Sequence, residues 1–207
     1  MSRLLVGVSV VFLAAAIVQS SRASLAPLPS VDGHIRYFIS NGPPASGYHP
    51  SDRELALWAF EAWQKSDNGA ITLEPAVEQL ATVRVYWASA DGNTYGETRP
   101  RVINGHRAAD VFVMADTEAL GPDVGGRAKA DPLWRDTIVY LTCVHEIGHA
   151  LGLEHTADYR DIMYFFGYGG DIVEYFARYR RQLHQRSDIR MLSGLSASDV
   201  QRLRSLR

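Results

Sequence analysis

Five residues in the second half of the chain have the types and spacing to do chemistry: His145, Glu146, His149, Gly152 and His155, in the pattern H-E-x-x-H-x-x-G-x-x-H. Residues four apart on a helix share a face, with Cβ atoms about 5–6 Å apart. His145 and His149 are so placed, and two imidazoles at that separation can reach one Zn²⁺ with Zn–N bonds of about 2.0–2.1 Å. Gly152 falls where the helix must stop, because glycine takes the left-handed conformation that ends a helix without a Cβ clash. Beyond that turn the chain can double back and bring in His155 as a third ligand. Three neutral protein ligands leave the fourth position open for water, the mark of a catalytic zinc site rather than a structural one. Glu146 adjoins the first His without being needed as a ligand. It is expected to face the open cleft, pack little and serve as general base.

These side chains need a rigid helix under them. Asp131 or Asp136 can cap its start, and Pro132 suits a first helical turn. Ile138, Leu141 and Val144 then supply an apolar face. Upstream, His34–Ile39 alternates and is rich in β-formers, so it reads as a first strand. Ser51 and Glu54 have the spacing of a capping box. Leu55, Trp58, Ala59, Ala62 and Trp63 follow at helical spacing, with the Trp pair expected in the core. Residues 71–73 and 83–87 read as two more strands. Asn104-Gly105 signals a hairpin between residues 101–103 and 109–114. Residues 121–131 read as a loop. Downstream, Asp171 caps a helix with Ile172, Phe176, Tyr179 and Leu183 on one side. Arg178, Arg181, Gln182 and Gln185 lie on its solvated side, and the basic helix spans 171–186. Ser196 to Asp199 starts a final short helix. The order is strand, helix, strands, zinc-binding helix, then helices. It implies an α+β fold: a twisted mixed sheet on two helices, with a C-terminal helical subdomain below the cleft.

The 207 residues carry a net charge of −2 with acids and bases mixed, which gives no reason to expect a nucleic-acid partner. Arg3, the apolar run from Leu4 to Val18 and the small residues up to Ala23 have the order of a signal peptide over 1–23. The run is shorter than the about 20 residues a spanning helix needs, so no stable membrane anchor is expected. Export to a periplasmic or extracellular compartment follows, with a linker over 24–33 and one folded domain over 34–207. Cys143 is the only cysteine, so no intramolecular disulfide can form, and a small buried apolar role suits it.

The motif resembles the metzincin metallopeptidases, whose extended zinc motif is followed by a methionine turn. Met163, in Asp161-Ile162-Met163-Tyr164, is the Met-turn residue by that resemblance. Thr156 after the third His is close to the Ser found in matrixins, and the spacing to Met163 is also matrixin-like. Trp58 to Trp63 resembles the matrixin first helix, and Leu195 to Val200 the start of its last. The resemblance is to the catalytic domain of the matrixins, in a short bacterial form. It implies a zincin fold, and a pocket wall formed by residues 164–170, where Phe165 replaces the usual Pro. A further departure is the lone His106, where matrixins with a structural zinc carry several ligands. Asp110, Asp116, Glu118 and Asp123 are the acids available for Ca²⁺, but their spacing fits no calcium loop.

The implied activity is zinc-dependent hydrolysis of peptide bonds by a secreted monomer acting on peptide or protein substrates. The zinc lowers the pKa of its water, Glu146 takes the proton and Met163 packs beneath the site. A free edge strand, from the 109–115 segment, would hold the extended substrate. Two other functions remain open at this stage: a non-catalytic zinc-scaffold binding module, and a zinc hydrolase with a non-peptide substrate.

Overall fold

The computed structural model describes residues 34–89, 94–103 and 106–206. The expected signal peptide over 1–23, the linker over 24–33 and the Asn104-Gly105 turn lie outside them. Ten main elements follow one another: β1 (His34–Ile39), α1 (Asp52–Ser66), β2 (Thr72–Pro75), β3 (Val83–Trp87), β4 (Gly96–Ile103), β5 (His106–Val113), α2 (Pro122–Ala130), α3 (Pro132–Leu151), α4 (Ile172–Arg180) and α5 (Ala197–Arg204). The strands form one sheet in the order β2-β1-β3-β5-β4. All pairs are parallel except β4 with β5.

Register explains which face is covered. Tyr37 pairs with Val83, Val83 with Ala109, Val85 with Val111 and Trp87 with Val113. The period of two therefore stacks these buried residues on one face, with Arg36, Arg84 and Asp110 pointing the other way. α1 and α3 pack on the apolar face and on each other. Phe60 of α1 stacks on Tyr37 at 4.3 Å between ring centroids. The fully buried Trp63 donates its indole N–H to the Val144 carbonyl of α3 at 2.9 Å. The α+β architecture with a twisted mixed sheet is as expected from the sequence.

Four local expectations are corrected. The segment 109–115 is not an edge: β5 is sandwiched between β3 and β4, and the edges are β4 and β2. Pro100 within β4 suits that place, since a residue without an N–H is tolerated at a sheet edge. Residues 122–130 form a helix, not a loop. Gly125 is there for close packing: a Cβ on it would sit 2.7 Å from the Glu118 carbonyl oxygen. The capping box at Ser51 is absent. The neighbouring Asp52, fully buried, accepts from the His49 N–H and from both Arg135 guanidinium nitrogens. Finally, α4 stops at Arg180 rather than running to 186; Arg181, Gln182 and Gln185 are exposed as expected, while Arg178 is half-buried. Arg178 lies 4.3 Å over the Tyr175 ring, Arg180 pairs with Asp131, and Arg181 with Glu174. No helix among the described residues is long and apolar enough to cross a membrane.

Candidate metal centre and cleft

α3 is fixed at both ends. At its start Asp131, not Asp136, is the cap, accepting from the Leu133 and Trp134 N–H groups at 3.0 and 3.2 Å. At its end Gly152 adopts φ 108°. The Leu153 N–H then returns to the Gly148 carbonyl and the Gly152 N–H to that of His149, which is a Schellman closure. This turn reverses the chain and carries His155 back over the helix.

The three histidines converge as the spacing requires, with ligand atoms all within 4.8 Å of one another. His149 Nε2 is 3.1 Å from His145 Nε2 and 3.1 Å from His155 Nε2. Backbone carbonyls fix the other nitrogen of two rings. Nδ1 of His145 donates to Ile162 O at 2.6 Å, and Nδ1 of His149 to Leu153 O at 2.8 Å. With Nδ1 protonated, Nε2 carries the lone pair, so lone pairs face one another at close range. Burial holds all three histidines down to about 4, with neighbouring imidazoles adding to the effect. They are neutral at neutral pH, as ligands must be. A tetrahedral ion with bonds of about 2.0–2.1 Å has ligand atoms about 3.3 Å apart, so the donor set fits zinc.

Below the rings, Met163 is fully buried. A Cβ on Gly148 would sit 2.5 Å from Met163 Sδ and 3.0 Å from the Trp63 ring. Gly148, within the motif yet outside its fixed positions, is therefore the gap into which the methionine fits. Hydrogen bonds from Thr156 N to Met163 O and from Phe165 N to Thr156 O tie the Met163 turn to the strand leaving His155. The turn is also held from far away in sequence. Buried Asp199, the capping-box residue of α5, accepts from Ile162 N at 2.8 Å and Met163 N at 3.4 Å. The hydroxyls of Ser196 and Ser198 donate to Asp161, and Tyr175 donates to the 161 and 162 carbonyls. Asp199 reads in the sequence only as a helix cap.

Glu146 is not free in an open cleft. It is 6% exposed, and the Thr98 hydroxyl of β4 lies 2.7 Å from its Oε2 and 2.8 Å from its backbone carbonyl. Burial lifts its carboxyl to about 7, while the Thr98 hydrogen bond pulls the other way and Glu97 adds to the rise. A carboxylate so masked is shielded because β4 lies directly against α3. A Cβ on Gly96 would come 2.6 Å from Glu146 Cγ. The cleft measures about 1100 Å³, bounded by β4, α3 and an aromatic wall of Tyr164, Phe165, Phe166 and Phe176. Phe165, at the position where matrixins carry Pro, lies 4.8 Å from the His155 ring.

The other candidate residues are placed elsewhere. His106 is exposed at the start of β5 and outside the histidine cluster. Asp110 pairs with Arg101, Asp116 caps a short 3₁₀ turn and Glu118 pairs with Lys129, while Asp123 sits in the first turn of α2. Cys143 is fully buried.

Comparison with known proteins agrees with this geometry. The matrixin model of peptidase family M10 matches residues 31–174. Macrophage metalloelastase of Oryctolagus cuniculus is 31% identical over 143 residues, covering 65% of this chain and 28% of that protein. Interstitial collagenase of Sus scrofa is 30% identical over 146 residues, covering 67% and 29%. The chain thus spans under a third of the length of these curated relatives. Among solved structures, archaemetzincin from Methanopyrus kandleri superposes with a TM-score of 0.49 at 11% identity, over 86% of this chain and 97% of that one. With the family model covering most of the described chain, this protein belongs to the matrixin family.

Proposed function

We propose that the chain is a secreted zinc-dependent endopeptidase, with His145, His149 and His155 holding one catalytic zinc and Glu146 as general base. The observation that carries the reading is the convergence of three neutral histidine rings, their Nε2 atoms at 3.1 Å contacts, beside the buried Glu146 carboxyl on one cleft wall. Zinc bound there would supply Lewis-acid polarisation of a carbonyl and activate water for attack. Ile162 O and Leu153 O keep His145 and His149 in the tautomer that presents Nε2. A cation beside Glu146 favours its carboxylate form against burial, so the side chain takes a proton and can return it to the leaving amine. Met163 packs beneath the rings and, among the described contacts, supplies shape rather than charge.

The free edge of β4 beside the cleft supports an extended peptide as substrate, paired to the strand through its main chain. The aromatic wall supports an apolar side chain next to the scissile bond. The apolar run and small-residue exit before Ser24 support an exported mature form starting near Ser24. N-terminal sequencing of the exported protein checks that start, and an intact Met1 on a cytoplasmic form contradicts it.

The test of the chemistry is cleavage of unstructured protein substrates by the parent, His149→Ala and Glu146→Gln, with zinc content measured alongside. The parent should carry about one zinc and lose activity to chelator, and His149→Ala should lose the metal. Glu146→Gln should keep the metal and lose about 10²–10⁴-fold in rate. Zinc-loaded parent that cleaves no protein substrate would support a binding module, or a non-peptide hydrolase, instead.

A further inference from the structure

The carboxyl of Glu146 is held by a residue from the other side of the cleft. Thr98 stands in the middle of β4, an edge strand, paired with Val111 of β5. Its hydroxyl oxygen lies between two acceptors of one residue, Oε2 and the main-chain carbonyl of Glu146, at 2.7 and 2.8 Å. Forty-eight residues separate the two in sequence. The approach depends on Gly96, two positions earlier on the same face of the strand. A Cβ there would lie 2.6 Å from Glu146 Cγ, 2.9 Å from Oε1 and 2.9 Å from Thr142 Cγ2.

We infer that Thr98 is a positioning residue for Glu146, fixing Oε2 through both halves of the proton cycle so that Oε1 is left to exchange the proton. The inference rests on the reading of Glu146 as the base. A hydroxyl suits the task because it donates a hydrogen without carrying charge. While Glu146 is a carboxylate, the Thr98 O–H donates to Oε2. When the proton sits on Oε1, Oε2 still accepts from the same O–H, so this bond need not break between the two states. An aspartate at position 98 would have no hydrogen to offer the carboxylate, and a valine would have none for either state.

A simpler account, in which Thr98 merely ties the strand to the helix, needs only the 2.8 Å contact with the main-chain carbonyl; the 2.7 Å contact with Oε2 is what points to the side chain.

The experiment compares kcat and KM for one peptide substrate in the zinc-loaded parent, Thr98→Val, Thr98→Ala and Thr98→Ser, and repeats Thr98→Val in the Glu146→Gln background. Zinc content and melting temperature are read on every variant. Removing one hydrogen bond to a charged group that must be held in place is expected to lower kcat about ten- to hundredfold in Thr98→Val and Thr98→Ala. KM should move less than about threefold, since Thr98 does not hold the remote parts of the substrate. Zinc content should stay at the parent's value. Thr98→Ser keeps the hydroxyl and should recover kcat to within about threefold. In the Glu146→Gln background the loss from Thr98→Val should largely vanish, because coupled residues are not additive.

Three results overturn the inference: hydroxyl-free variants at the parent's kcat, a serine variant as slow as the valine one, or an undiminished effect in the Glu146→Gln background. Loss of zinc in Thr98→Ala, the variant that adds no apolar bulk against Glu146, also overturns it by making the contact structural. If Glu146→Gln itself cleaves at the parent's rate, the base assignment is wrong and Thr98 falls with it. If Glu146→Gln is inactive while Thr98→Val is fully active, the base stands and only the positioning role is lost.

Discussion

Asp199→Ala is the substitution whose effect the structure fixes most directly. The side chain is fully buried. It accepts from Ile162 N at 2.8 Å, Ser196 N at 2.9 Å and, less well, Met163 N at 3.4 Å. A hydrogen bond to a charged group contributes about 1.5–3 kcal/mol, so the two short ones together contribute about 3–6 kcal/mol. Removing a buried carboxylate also removes its desolvation cost, which offsets part of that sum and leaves a loss of about 3 kcal/mol. In a domain of this size each kcal/mol shifts the melting temperature by about 2–4 °C, so the expected drop is about 6–12 °C. The damage should also reach the metal centre. Ile162, whose N–H loses its partner, presents the carbonyl that orients His145, and loss of such an outer support weakens zinc about tenfold or more. Calorimetry of chelator-treated protein reads the first effect, and competition with a fluorescent chelator reads the second. A melting temperature within about 2 °C of the parent's, with unchanged zinc affinity, would refute the claim that α5 holds the Met163 turn.

Three further outcomes are expected. Gly152→Ala puts a Cβ on a residue at φ 108°, with Arg107 Nη1 and Leu206 Cδ1 already 3.3 and 3.4 Å from that point. The strain costs about 1–2 kcal/mol, and equilibrium dialysis should show weaker zinc binding as His155 is displaced. Gly96→Ala should lower kcat while zinc content holds, because the nearest atoms to the new methyl belong to Glu146 and Thr142; a variant at the parent's rate contradicts the close packing of β4 on α3. Acid stability should depend on Glu61, whose carboxyl Arg190 hydrogen bonds hold below its ordinary 4.5 against the opposing effect of burial. A carboxyl lowered in the folded state stabilises it above about 4.5 and loses that contribution as pH falls through the folded value. Urea midpoints should therefore drop on acidification through that window, by less in Glu61→Gln than in the parent. An equal drop in both would remove Glu61 from the account.

How far the sequence reached differs by element. The histidine triad was legible because the helical period and one glycine fix it locally: four residues give a shared face, and Gly152 gives the reversal. The core strands and the packing of Trp63 followed from alternation and helical spacing for the same reason. Asp171 and Ser196 declared their helices because caps act within one turn. The chain also carried the matrixin resemblance in contiguous pieces, from the zinc motif through Met163.

What the sequence left open was decided by contacts between residues far apart. Ser51 and Glu54 had capping-box spacing, but buried Asp52 has its partner in Arg135, 83 residues on, and Glu54 goes to Arg186. The glycines of 121–126 suggested a loop because glycine usually marks one. Only the Glu118 backbone beside Gly125 shows that close packing is the reason. Residues 109–113 had the composition of either an edge or an interior strand, and composition cannot tell which neighbours a strand will find. Pairing with β3 put it inside and left β4 outside. That choice brought Thr98 to Glu146 and buried a carboxylate expected to stand in the open. The sequence by itself determined which atoms can bind the metal, since ligand spacing is a property of one helix and its turn. Tertiary structure alone decided how the Glu146 carboxyl is held and what supports the Met163 turn, because those bonds join β4 to α3 and α5 to that turn across distances that no local periodicity encodes.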